Sequence, residues 1–166
     1  MRQTAINWIG PHWIVPVKKL VTSNSTSEWC HLPYQDHPRG CPMFGKKGVC
    51  PPNARHVSER FDLSKSLYLV HSEFNLLEDI ERRRKNNSTA TERQLRCVLY
   101  WQSKSRKQLE ERTRWAVSAL DLTEFTYCPE AMGVNVFATA RISGLHLDKT
   151  RRVKICRHVA LIGHGL

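Results

Sequence analysis

Three cysteines in this chain are each followed by proline: Cys41-Pro42, Cys50-Pro51 and Cys128-Pro129. Proline restricts the residue before it to extended backbone and disfavours helix there. It also brings no N–H of its own. Each of these thiols is therefore expected on a stiff, non-helical stretch that aims its side chain. A single catalytic or redox cysteine needs such treatment once. Three copies predict several sulfurs pointed at a common centre, as a metal ion or an iron–sulfur cluster requires.

The surroundings sharpen the pattern. Cys41 and Cys50 lie in Gly40-Cys41-Pro42-Met43-Phe44-Gly45-Lys46-Lys47-Gly48-Val49-Cys50-Pro51-Pro52. The glycines let this loop fold tightly and let backbone approach a ligand closely. Its N–H groups and lysines suit an anionic cluster or an anionic substrate. Arg39, Lys46 and Lys47 are the expected anion-binding side chains. The eight-residue gap between the two cysteines matches neither a zinc ribbon nor a ferredoxin, both of which use Cys-x2-Cys. The alternative is a Pro/Gly loop with two structural thiols. Cys128, in Tyr127-Cys128-Pro129-Glu130, repeats the same local chemistry far downstream and is the expected third ligand. Cys97, in Arg96-Cys97-Val98-Leu99-Tyr100-Trp101, is expected on a helix among apolar neighbours, where a cysteine is more often a small core residue. It is nevertheless the first choice for a fourth ligand. Cys30, before His31, and Cys156, in an alternating segment, are weaker choices. His37, in Asp36-His37-Pro38, is the best-placed nitrogen donor, and equally a turn residue or a general acid/base. His37 and Glu130 are the candidates to move protons. The other histidines, His158 among them, show no motif and default to structural roles.

At 166 residues the chain suits one domain, residues 1–166, with one core. Forty per cent hydrophobic residues and five tryptophans predict a folded globule. No apolar run approaches a membrane span. Residues 1–8 carry no apolar signal region, so a reducing cytoplasm is expected, where six cysteines serve as ligands or lie buried rather than pairing. Twenty-six Lys and Arg against 15 acidic residues give a formal +11. Such a surface attracts polyanions, which makes a nucleotide or nucleic acid a plausible partner. Bound metal–thiolate offsets part of that charge. Phosphate-loop, dinucleotide, zinc-protease and serine-hydrolase signatures are absent.

Along the chain, residues 13–22 read as an early strand, with Pro16 suggesting an edge. Residues 29–56, rich in X-Pro pairs and glycine, read as a long functional loop. Residues 67–74 read as a buried strand. Asn75 can cap a helix to about Lys85, and Thr91 a long helix towards Leu120. Residues 123–132 read as a second irregular stretch. A short helix over 134–143 stops at Gly144, and a closing strand covers 153–162. The order predicts an α/β or α+β domain: a small mixed sheet with flanking helices and long cysteine-bearing loops.

Two of these segments resemble a family of predicted metal-binding proteins of unknown function. One is the glycine-rich loop Cys41 to Pro52, ending in Cys-Pro-Pro. The other is Cys128-Pro129-Glu130-Ala131-Met132-Gly133-Val134-Asn135-Val136-Phe137-Ala138. The resemblance implies cysteine-bound metal at Cys41, Cys50 and Cys128. The resulting expectation is a [4Fe-4S] protein on Cys41, Cys50, Cys128 and Cys97. With only three protein ligands, an open iron would act as a Lewis acid on a nucleotide, modified base or nucleic acid. The alternative is a zinc-stabilised nucleic-acid-binding module without catalysis, with tryptophans such as Trp101 stacking on bases.

Overall fold

The early strand pairs over Ile14–Pro16 (β1), shorter than expected, and lies at a sheet edge, where the missing N–H of Pro16 costs no ladder bond. The computed structural model describes residues 9–33, 38–148 and 153–166. His37 lies outside the described residues. The chain continues with strands Tyr68–His71 (β2) and Phe74–Asn75 (β3), helices Leu76–Asn86 (α1), Glu92–Leu95 (α2) and Gln102–Ala119 (α3), and strand Glu124–Thr126 (β4). Helix Val136–Ser143 (α4) and strands Ile155–Cys156 (β5) and Val159–Gly163 (β6) complete it. This is the mixed α/β architecture the pattern predicts. The sheet expected to be mixed is antiparallel in every described pairing: one sheet in the order β1-β2-β6-β4 and a two-stranded ladder of β3 with β5.

Period-two alternation explains why β2 and β6 sit at the centre. Leu69 and Leu161 point to one face, into a core with Val57, Phe61, Met132 and Val136. Val70, Ala160 and Ile162 point to the other, where Leu109 and Ala116 of α3 cover them. Both central strands are thus buried on both faces, and each fully buried leucine contributes about 2–3 kcal/mol. A third cluster, Leu76, Ile80, Leu95 and Cys156, lies beneath α1 and α2.

The helix signals act as their chemistry predicts. The Asn75 side chain accepts from the Glu78 N–H at 3.2 Å, with acidic residues in the first turn of α1 and Arg83, Arg84 and Lys85 in the last, complementing its dipole. Gly144 ends α4 in the left-handed region at φ 92°. The long helix expected from Thr91 is a correction. Thr91 makes a capping box with Gln94, but the helix stops after one turn. Cys97 is extended, Val98–Tyr100 forms a 3-10 turn, and α3 starts afresh. Leu95 and Trp101 explain the break. Six residues along a helix is about 240° of rotation, yet both join the cluster around Phe74. One straight helix cannot face both side chains there.

Cys156 carries a pH dependence. It is 5% exposed, and burial pushes its thiol from the ordinary 9.0 to about 11. Below pH 9 both folded and unfolded chains hold the proton. Between 9 and 11 only the folded thiol keeps it, so stability falls as pH rises, by about 2 kcal/mol. Urea midpoints at pH 8 and pH 11 should show this loss for the wild type and a smaller one for Cys156→Val. Equal losses in the two proteins would refute the assignment.

Candidate functional site

The two irregular stretches meet at one end of the sheet. From β1 the chain runs along α4, its Lys18 and Val21 N–H groups donating to Ser143 Oγ and Thr139 Oγ1. It then bridges Thr22 to Val134 and enters a 3-10 helix, Asn24–His31, whose last three residues open the stretch expected as a long loop. Ser23 N donates to Gly133 O at 2.8 Å, and the Thr26 hydroxyl, fully buried, stands 2.9 Å from Glu130 O. The stretch at 123–132 is not irregular throughout. It holds β4 and a 3-10 turn, Pro129–Met132, whose first position suits the fixed φ of proline. These bonds tie the turn bearing Cys30 to the turn bearing Cys128 and Glu130.

The Cys41–Pro52 loop docks on the same place. Cys41 N donates to Cys30 O at 2.6 Å, and the His31 and Phe44 rings stand 4.1 Å apart. Gly40 makes the approach possible. It is buried with φ 79°, and a Cβ there would stand 2.7 Å from His31 Cα and closer still to Cys30 O. The loop then closes on itself, Gly45 N donating to Pro51 O at 3.0 Å.

Four thiols and a carboxyl consequently share one electrostatic neighbourhood. Burial, then the charges of Cys41, Cys50 and Glu130, raises the Cys30 thiol above its ordinary range. Cys128 is exposed as a residue, yet its sulfur is crowded: burial, then Glu130, Cys50 and Cys30, raises it too, against a lowering influence of Arg106. Burial also raises the Glu130 carboxyl. Burial and neighbouring negative charge thus disfavour the anionic forms of Cys30 and Cys128, and burial that of Glu130, which a bound cation would offset. Among the described residues, no three of His, Cys, Asp or Glu converge closely enough to hold a single metal ion.

Cys41, Cys50, Cys128 and Glu130 line one side of a cleft of about 700 Å³, a size suited to a cofactor or small substrate. Lys47 lines it as well, while Arg39 and Lys46 are exposed outside it. Cys97 does not line it and is not among the charges acting on Cys30 or Cys128. Two residues of this region carry no signal in the sequence: Cys30, which does not line the cleft itself, and His158, which does. Cys30 has no proline after it; only its neighbours His31 and Pro33 hint at a constrained turn. His158 sits on the far wall, its Nδ1 2.8 Å from Ser105 Oγ.

Among the described residues no helix is long and apolar enough to cross a membrane. No protein-family description, curated protein or solved structure matches the chain.

Proposed function

We propose that the protein binds a [4Fe-4S] cluster through Cys30, Cys41, Cys50 and Cys128, and uses it beside the cleft to act on a nucleotide, a modified base or nucleic acid. The observation that carries this reading is that Cys30 and Cys128 are both raised by burial and by the charges of Cys50 and Glu130, with Cys41 acting on Cys30 and Cys30 acting on Cys128. Four soft thiolate donors suit iron–sulfur or zinc. Around one zinc ion, four sulfurs at about 2.3 Å from the metal stand only about 3.8 Å from one another. A cubane spreads its thiolates over four irons and tolerates the wider setting found here. When bound, such a cluster supplies one-electron chemistry. With Cys30 as fourth thiol, all four irons have a protein ligand. The role then moves from an open Lewis-acidic iron towards electron transfer to a ligand in the cleft. Six free thiols fit a reducing, cytoplasmic setting.

A second reading is the zinc-stabilised nucleic-acid module, favoured by the formal +11 and by exposed Arg39, Lys46, Lys104 and Lys107. Anaerobic purification and reconstitution separate the two. A brown protein with about four irons and four sulfides per chain is expected. A colourless protein holding zinc would overturn the cluster.

A further inference from the structure

We infer that His158 is the hydrogen-bonding and proton-accepting group of a site for a planar heteroaromatic ligand, of the nucleobase class, seated in the cleft between Trp101 and the cysteine loops. The inference deepens the nucleotide part of the proposed function and is independent of the cluster.

His158 is anchored from behind. Its Nδ1 is 2.8 Å from Ser105 Oγ, which is 2.7 Å from Ser72 Oγ. Ser72 Oγ in turn accepts from the His158 N–H at 2.9 Å and lies 3.5 Å from His158 O. Ser105 and Ser72 are only 2% and 0% exposed, so water does not compete for these bonds. The Ser72 hydroxyl hydrogen is directed at His158 O, so Ser105 donates to Ser72, Nδ1–H donates to Ser105, and Nε2 carries a free lone pair. The far nitrogen makes no hydrogen bond among the described residues and is not among the buried unpartnered atoms, so it faces the cleft that His158 lines.

That cleft suits a flat ring. Leu109, Val136 and Phe137 give it apolar walls, and Trp101 stands 5.6 Å from the His158 ring. Arg106 and Lys47 bring positive charge to the same space. Arg106, which lines the cleft, acts electrostatically on both Cys128 and His158. Burial, then Arg106, lowers the His158 pKa and keeps the ring neutral at pH 7. In the proton step, a ring N–H bond of the ligand breaks and an Nε2–H bond forms. The electron pair stays on the ligand nitrogen, and Nδ1–H remains donated to Ser105. The anionic ring then faces Arg106.

Calorimetric titration with UMP, GMP, AMP and inorganic phosphate tests this on the intact protein. UMP and GMP carry a ring N–H and should bind. AMP, which lacks one, should bind about tenfold more weakly, the worth of one good hydrogen bond. His158→Phe should weaken UMP about tenfold and leave AMP unchanged, with an unaltered thermal melt. Ser105→Ala should weaken UMP less, because the ring loses its anchor and keeps Nε2. AMP binding equal to UMP, phosphate competing as well as UMP, no binding of UMP or GMP, or an unaffected His158→Phe would each overturn the inference. Cys50→Ser keeps the two readings apart: loss of iron with UMP binding retained leaves the cleft intact, and the reverse leaves the cluster.

Discussion

Cys30→Ser is expected to leave the reconstituted protein without its brown colour, with iron falling from about four per chain to background. Cys97→Ser is expected to retain both. The difference rests on position. Cys30 is held against Cys41 by a 2.6 Å backbone hydrogen bond and feels Cys41, Cys50 and Glu130. Cys97 opens a 3-10 turn between α2 and α3 and is not among the charges acting on Cys30 or Cys128. A serine hydroxyl at position 30 does not ionise as a thiolate does and is a hard donor where a soft one is needed. Iron and sulfide assays on both variants, with circular dichroism to verify folding, give the answer. Iron retained in Cys30→Ser and lost in Cys97→Ser would reverse the ligand assignment.

Gly40→Ala should damage the same site without touching a ligand. A side chain at φ 79° costs about 1–2 kcal/mol by itself. The added methyl also meets the Cys30–His31 backbone, which cannot swing aside as a flexible side chain would. A total of about 2 kcal/mol or more corresponds to a Tm lower by about 4–8 °C for a chain of this length. The loop must move away from Cys30, so cluster content should fall together with Tm. Gly48→Ala is the control: a Cβ there meets nothing within 4 Å. Equal behaviour of the two variants in differential scanning calorimetry and iron assay would show that Gly40 does not seat the loop.

Local chemistry was readable wherever neighbours in sequence decide the outcome. Asn75 and Thr91 cap helices, Gly144 ends one, and Pro16 marks an edge strand. The alternation of β6 is equally local. The broken helix was not readable, because Leu95 and Trp101 leave a common helical stripe only to reach Phe74, a partner in a distant strand. Glu130 was a candidate from its place beside Cys128. What raises its carboxyl is burial, which depends on the 24–31 turn folding over it.

The sequence alone determined that Cys41, Cys50 and Cys128 lie outside helices, because proline acts on its immediate neighbour and needs no tertiary help; Cys128, at φ -131° and ψ 59°, is non-helical without being extended. Tertiary structure alone brought Cys30 beside Cys41. Cys30 and Cys41 meet through a buried glycine, and Cys128 arrives at the end of β4, so the company a sulfur keeps depends on how distant strands and turns pack. Short-range steric rules constrain each thiol's local backbone, and long-range packing decides which thiols become neighbours.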